Sequence, residues 1–406
     1  MSEEPVEEAE IIDIGDSQML GICPSGEKIW LHGPVVPGDR VAFTRSGRIG
    51  QVTSLLAPAP SRRPCPCPHV DTCPGCGLQP LPYPEQCEWK SRKIHETLRR
   101  IGGFREFEWR GLRPSPEEFG TRNKLDLHVD GARVGYTNGR ELLPIGTCLL
   151  GAPILREVLE ALRPALATPH GLHRLMLRCG HDAQQVHVLV RGQPLPETLL
   201  SCCREHPAVS ALSVQTEPKG PWQCLYGHPT LSHPLCGIDH EIAYDAFFQV
   251  HSRQAEALVR TAMDWLREAP VHHLLDLFSG AGAFTLPAAA LAQSVLGIDS
   301  HPGSGPQFLK ADLSAGLPAD PRLRAHRWDT VLVDPPRAGM EKKLCRQLRD
   351  TVRPRRILYI SCNPATLARD LSRLCHESRY RFVRAEGFDL FPQTTHVETL
   401  ALLEQA

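Results

Sequence analysis

The chain has 406 residues, 41% hydrophobic and 22% charged, enough to bury two or three cores, with the composition of an ordinary globular protein. A formal net charge of -1 argues against a uniformly basic nucleic-acid binder, no apolar run approaches a membrane span, and the start Met1 to Glu8 is acidic where a signal peptide is basic. Fifteen cysteines without an export signal argue against a disulfide framework and for thiols used in metal binding or catalysis, with the cytoplasm as the expected compartment.

The first 16 residues hold seven acidic side chains and no basic ones. From Glu10 to about Ala57, short apolar runs alternate with turns such as Gly15-Asp16, Pro24-Ser25-Gly26 and Pro37-Gly38-Asp39, which predicts a small β-barrel. The proline-rich stretch Ala57 to Pro64 reads as a linker. Beyond it, Cys67-x5-Cys73-x2-Cys76 places three thiols on one loop, Cys148 is the expected fourth, and Cys65 is a rival for Cys67. On chemistry alone, four thiolates suit zinc and an iron–sulfur cluster equally.

A helix is predicted over Gln86 to Arg100. Ten basic side chains between Lys90 and Lys124 offer contacts for phosphates, although a solvated helix face explains those on the helix about as well. Between about Arg110 and Ala243, strands such as Lys124 to Val129, Arg174 to Arg178 and Val186 to Val190 predict a mixed α+β domain. From Ala246 onward, helices alternate with the apolar strands Leu274 to Phe278, Ser294 to Ile298, Thr330 to Val333 and Ile357 to Ile360. That is the pattern of a doubly wound, Rossmann-like parallel sheet. The expected division is therefore 1–58 for the barrel, 59–245 for the cysteine loop and central domain, and 246–406 for an α/β domain, with a helix at about 79–110 placed to pack on the last.

Four strand ends carry chemistry. The run Leu274 to Leu286 is a strand, a turn with Gly280-x-Gly282 and a helix start, where glycines let a ligand approach the backbone. Seventeen residues after Gly282, Asp299 ends the next strand, where a carboxylate can accept both hydroxyls of a ribose. The full dinucleotide fingerprint is absent, which fits S-adenosylmethionine, a cofactor without phosphates, better than a pyrophosphate. A tight structural turn would explain Gly-x-Gly almost as well. A third strand ends at Asp334-Pro335-Pro336-Arg337, whose carboxylate can orient a base edge or a cofactor amine.

In the fourth, Tyr359 to Ala368, a strand ends against a helix start at Cys362. Asn363 is a good N-cap and Pro364 suits the first helical turn, so the helix start should favour a nucleophilic thiolate at Cys362. Taken alone, a buried structural cysteine is the commoner outcome.

With these motifs in chain order, the sequence resembles the S-adenosylmethionine-dependent RNA (uracil-5-)-methyltransferases, in the 23S rRNA form that has a TRAM domain and an iron–sulfur cluster. Val36-Pro37-Gly38-Asp39-Arg40-Val41 resembles the TRAM domain, an OB-like RNA-binding barrel. Phe247-Phe248-Gln249-Val250, Asp334 to Gly339, Ser361 to Arg369 and His396-Val397-Glu398 resemble the family's Phe-Phe-Gln-Val-Asn, Asp-Pro-x-Arg-x-Gly, Ser-Cys-Asn-Pro-x-Thr-x-x-Arg and His-x-Glu segments.

The resemblance implies that Cys362 adds to C6 of uracil, turning C5 into a carbon that accepts a methyl group, and that Glu398 then removes the C5 proton. It places Gln249, Phe278, Gly280, Asp299, Asp312 and Asp334 at the cofactor or uracil. Arg337 and Arg122-Asn123-Lys124 are its candidates for RNA contact. For Cys67, Cys73, Cys76 and Cys148 it implies a [4Fe-4S] cluster. The target base should be flipped out of its RNA, 23S rRNA before tRNA, and no protein partner is readable.

The sequence departs from the family in two places. His251 stands where the family has Asn, and Ser300 to Pro306 replaces the helix that normally follows Asp299, which leaves the adenine side of the cleft and Asp312 in question. That loss favours one rival reading, a non-catalytic RNA-binding factor. A radical methylthiotransferase is the other rival, but its Cys-x3-Cys-x2-Cys spacing does not occur.

Overall fold

The computed structural model describes residues 5–16, 18–137, 141–168, 170–181, 184–217, 220–243, 246–376 and 380–405. The acidic pair Glu3 and Glu4 and the boundary expected at 245 lie outside the described residues.

Five strands between Val6 and Ala57 close into a barrel. In its first strand, Ala9 and Ile11 alternate with exposed acidic residues, and a register shift between Ile11 and Asp13 turns Ile14 inward as well. The segment read as a linker is docked onto this barrel. Buried Asp39 accepts the N–H groups of Val36 at 2.9 Å and Ala59 at 2.8 Å, and Arg62 donates to it at 2.5 Å. A buried carboxylate has to gather donors, and this one draws them from the proline-rich segment.

The central region is a seven-stranded mixed sheet between Lys124 and Tyr226, with helices Pro153–Leu166 and Glu197–Glu205 packed on it. A two-stranded hairpin, Thr230–Leu235 with Ile238–Ala243, follows.

The elements that build the site are α1 (Tyr83–Arg100), β1 (Glu108–Arg113), α2 (Ser252–Arg267), β2 (Val271–Leu277), β3 (Ala292–Asp299), β4 (Phe308–Lys310), β5 (Thr330–Val333), β6 (Arg356–Ser361), α3 (Pro364–Cys375), β7 (Tyr380–Phe388) and β8 (Glu398–Gln405). They form an eight-stranded sheet in the order β4-β3-β2-β5-β6-β8-β7-β1. The sheet is parallel from β4 to β6, as expected, but β8 is antiparallel to both β6 and β7. Strands β5 and β6 are buried throughout, as continuous apolar strands covered on both faces should be. Leu275, Val331, Ile357 and Tyr359 fill one layer, and Leu274, Leu332, Leu358 and Ile360 the other.

Two elements come from upstream of the α/β region. Strand β1 pairs in parallel with β7 and covers what would otherwise be an open sheet edge. Helix α1 packs on α3, with Ile94 and Leu98 fully buried in the same layer as Tyr359.

This topology assembles the site. Parallel strands β2, β3, β5 and β6 end at one edge of the sheet, and antiparallel β8 begins at that same edge, so residues far apart in sequence arrive together.

Candidate active site

The turn after β2 is bound to the end of β3. Ser279 N–H donates to Ile298 O at 3.1 Å and Gly280 N–H to Asp299 Oδ2 at 3.1 Å. Gly282 has φ 92°, and a Cβ there would lie 2.7 Å from the Phe308 ring, so the turn needs a bare backbone. Beneath it, Asp276 is buried and accepts from Thr285 Oγ1 at 2.5 Å. Burial pushes its carboxyl up to about 8 despite the lowering by that hydrogen bond, with Asp334 and Asp299 adding to the rise. Asp276 Oδ1 and Ser279 Oγ are buried without a hydrogen-bond partner.

Asp334 follows β5, where burial and then neighbouring Asp299 push it up to about 7. The loop after it is clamped to α3. Arg369 Nη2 donates to Ala338 O at 2.7 Å, and Asp370 Oδ2 accepts Met340 N–H at 2.7 Å and Tyr359 OH at 2.8 Å. Thr366 Oγ1 donates to Arg337 O at 3.2 Å, leaving the Arg337 side chain exposed.

Asn363 caps α3 as its sequence predicts, accepting from Ala365 N–H at 3.0 Å and Thr366 N–H at 3.4 Å, with Pro364 in the first turn. Ser361 and Thr399 are register partners across β6 and β8, so Cys362 and Glu398 lie one residue beyond them at the shared end. The expected thiolate is not favoured: burial pushes the Cys362 thiol up to about 11, Glu398 and Asp334 add to this, and Arg337 opposes it. Glu398 is 3% exposed, and burial followed by Asp334 holds its carboxyl well above the usual carboxylate range, with Arg337 again opposing.

The remaining predicted residues divide. Buried Gln249 sits where its carbonyl accepts Asn123 Nδ2 at 2.9 Å, while Asn123 N–H donates to Val250 O at 2.8 Å. Asn123 is therefore a buried stitch between two segments and is withdrawn as an RNA contact. Asp312 lies past β4, exposed, with Ser314 N–H and Oγ both donating to it. Residues 300–307 join β3 to β4 through turns and bends without a helix. Gly303 N–H donates to Gly280 O at 2.9 Å, which ties this short connection to the glycine turn.

The tRNA (Uracil-5-)-methyltransferase family model matches residues 317–406. The 23S rRNA (uracil(1939)-C(5))-methyltransferase RlmD of Pseudomonas fluorescens is 32% identical, covering 95% of this chain and 89% of its own length. The chain belongs to the RNA (uracil-5-)-methyltransferase family. RlmD of Acidithiobacillus ferrooxidans is also 32% identical, over 96% of each chain. The tRNA (uracil-54, C5)-methyltransferase of Pyrococcus abyssi, solved with S-adenosyl-L-homocysteine, superposes with a TM-score of 0.75 at 26% identity, covering 97% of this chain and 99% of that one.

Within this uracil-5-methyltransferase, His251 replaces the Asn expected from the resemblance and serves as the N-cap of α2. Its Nδ1 accepts Gln254 N–H at 3.4 Å, so Nε2 carries the proton and donates to Ser115 Oγ at 2.7 Å. Burial lowers its pKa to about 4, which keeps the ring neutral for that role.

Cys67, Cys73, Cys76 and Cys148 line one cavity together with Phe119 and Tyr136, and Cys65 lies outside that lining. Tyr136 OH donates to Cys148 Sγ at 3.5 Å. Among the described residues, no group of three or more His, Cys, Asp or Glu has the placement to hold a metal ion.

The sequence reading missed Asp276 and Asp370. Asp276 was open to discovery, since it is the one charged residue in the strand Leu274 to Phe278. Asp370 sits one residue beyond the Ser361 to Arg369 motif, and only the packing of α3 reveals the loop it holds.

Proposed function

We propose that this family member transfers the methyl group of S-adenosylmethionine to C5 of a uridine in RNA, with 23S rRNA as the substrate. The observation that carries the reading is the meeting of Cys362 and Glu398 at the sheet edge that also bears Asp299 and Asp334. The cofactor cleft fits its occupant. A Cβ at Gly280 would meet nothing within 4 Å, which leaves open space beside the turn, Asp299 can take ribose hydroxyls, and the unpartnered Asp276 Oδ1 and Ser279 Oγ await polar partners. Gln249, Phe278, Gly280, Asp312 and Asp334 complete the proposed contacts.

S-adenosylmethionine supplies an electrophilic methyl group when bound. Cys362 gives its proton to water and its sulfur bonds to uracil C6, which makes the C5=C6 π pair available at C5; that carbon takes the methyl while the electrons of the broken S–CH3 bond stay on the departing sulfur. The Glu398 carboxylate then removes the C5 proton; the C–H electron pair forms the C5=C6 bond, and the C6–S bond breaks to return the thiolate. Arg337 favours the charged form of both groups, and its exposed side chain is placed for an RNA phosphate.

The 23S substrate rests on the names of the full-length relatives, while the Pyrococcus neighbour supports tRNA as the second reading. The closed barrel is assigned as the TRAM domain that contacts RNA. For the cysteine loop the reading is a [4Fe-4S] cluster with Cys67, Cys73, Cys76 and Cys148 as ligands; they line one cavity but do not stand as a preformed metal site, so binding would draw their sulfurs together, and the cluster takes no part in methyl transfer. Among the described residues no helix is long and apolar enough to cross a membrane, and a cytoplasmic site of action accords with an RNA substrate.

The test is to map 5-methyluridine in rRNA and tRNA from a strain lacking the gene, alongside equilibrium binding of S-adenosylmethionine to the whole protein. Loss of one rRNA 5-methyluridine is expected, whereas loss from tRNA alone selects the second reading. Failure to bind S-adenosylmethionine would leave the non-catalytic RNA-binding reading in its place.

A further inference from the structure

The segment between β7 and β8, residues 389–397, delivers Glu398 to the cleft, and Gln393 is its most fully bonded residue. Gln393 has no exposed surface and a backbone φ of 69°, a left-handed conformation that a residue with a side chain adopts only when its surroundings enforce it. Its Oε1 accepts Gln86 Nε2 at 2.9 Å and Arg63 Nη2 at 3.0 Å, and its Nε2 donates to Glu118 Oε2 at 3.1 Å. Its N–H donates to Gln86 Oε1 at 3.1 Å and its carbonyl accepts Leu78 N–H at 3.1 Å.

Apart from Glu118, these partners flank the cysteine loop. Gln86 Nε2 also donates to Leu78 O at 2.9 Å and Leu81 O at 2.8 Å, Arg63 Nε donates to Gln79 O at 2.9 Å, and Gln79 Oε1 accepts Cys67 N–H at 3.0 Å. On the other side, Thr394 Oγ1 donates to Phe391 O at 2.8 Å and accepts His396 N–H at 3.2 Å, and buried Val397 leads into Glu398. Hydrogen bonds and short covalent steps, through Gln79 and through the peptide from Gln393 to Thr394, thus link the backbone of Cys67 to the residues just before Glu398.

We infer that Gln393 is a positioning residue that sets the place of the Glu398 carboxylate from the cysteine loop, and that elimination of Cys362 from the methylated uracil is the step it governs. This rests on the proposed role of Glu398 as the base. Addition and methyl transfer draw on the ends of β2, β3, β5 and β6, with which Gln393 makes no hydrogen bond among the described residues. Proton removal from C5 needs a carboxylate held to within a fraction of an ångström, and that carboxylate is carried by the segment Gln393 fixes.

The test follows the covalent protein–RNA adduct by denaturing gel, with substrate RNA and S-adenosylmethionine, in the full-length protein. Glu398→Gln sets the benchmark by accumulating adduct, and if it turns over normally, the assignment of the base has failed rather than this inference. Given that benchmark, Gln393→Ala should slow adduct resolution about tenfold while its rate of formation and its affinity for S-adenosylmethionine stay within about twofold. Faster hydrogen exchange should appear across 391–398. Equal slowing of formation and resolution, or resolution at the wild-type rate, overturns the inference. Gln393→Glu should be slow by itself, because it loses the donor to Glu118, and adding Glu118→Gln should restore resolution by reversing that hydrogen bond. If Gln393→Ala does not fold, this pair decides the matter, and absence of rescue counts against the coupling.

Discussion

Cys362 and Glu398 stand at the common end of an antiparallel strand pair, one residue beyond the register partners Ser361 and Thr399, and the Glu398 carboxyl adds to the cost of ionising the Cys362 thiol. Burial dominates both shifts, so the ligand-free site holds a thiol beside a carboxyl whose ionisation is strongly opposed. The nucleophile is thus protected until substrate arrives, and Arg337 is the nearby cation able to assist ionisation.

Alkylation of Cys362 in the ligand-free protein should therefore accelerate about tenfold per pH unit from pH 7 to pH 10, following the thiolate fraction of a group at about 11. Mass spectrometry of the Cys362 peptide after timed iodoacetamide treatment measures this. Glu398→Gln should speed alkylation at the alkaline end of that range, because it removes the charge that Glu398 acquires on ionising and that raises the Cys362 thiol. A plateau reached near pH 8 would show that burial does not control the thiol.

Asp276 and Asp334 give stability a pH dependence. Each holds its proton in the folded state to about 8 and about 7, well above the ordinary Asp value of 3.8, so the folded state binds protons that the unfolded chain has released. Their contribution is fully present below the ordinary Asp range and is lost as pH rises through those values. Asp276→Asn keeps an acceptor for Thr285 without the ionisation. Melting temperature measured from pH 5 to pH 9 should fall less steeply in this variant than in the wild type; parallel curves would rule out a titrating Asp276.

The four strand-ending motifs were legible because each couples a short apolar run to turn chemistry within a few residues, as at Leu277 to Gly282 and Ile360 to Pro364. The N-cap at Asn363 is local in the same way. Long-range pairing was not legible: nothing in Glu108 to Arg113 announces that it completes the sheet beside β7, and nothing in Ala57 to Pro64 shows that Asp39 will hold it. The thiol state of Cys362 was misread for a related reason. The helix start is a sequence feature, whereas the burial and the two carboxyls that raise the thiol exist only once β5, β6 and β8 have come together.

Gly339 tests how firmly the loop after Asp334 is clamped. It has φ 75°, and a Cβ there would lie 2.4 Å from Asp370 Oδ2 and 2.5 Å from Arg369 Nη2. Gly339→Ala therefore imposes backbone strain and pushes apart the two side chains that hold Ala338 and Met340. A loss of about 2 to 4 kcal/mol is expected in urea unfolding, combining a left-handed residue with a disturbed buried hydrogen bond. A loss under about 0.5 kcal/mol, within the usual range for surface substitutions, would show that the clamp is loose.

Lys90 on α1 anchors the other end of the segment that carries Glu398. Its ammonium lies 2.7 Å from Asp389 Oδ1 and 2.9 Å from Phe391 O with both side chains fully buried, while Tyr83 OH donates to Asp389 Oδ2 at 2.9 Å. Burial lowers the Lys90 pKa and Asp389 opposes that, so the pair is held by mutual charge in a dry setting. Lys90→Met fills the space but leaves Asp389 without its cation, and should destabilise the protein by about 3 to 5 kcal/mol in denaturant titration. Lys90→Met with Asp389→Leu removes both charges and should regain part of that loss, though not all, because the Tyr83 O–H and the Phe391 N–H then lose the carboxylate they donate to. A double variant less stable than the single would mean that Asp389 acts chiefly through Tyr83 and the Phe391 N–H, which donates to it at 3.2 Å, and that the ion pair is secondary.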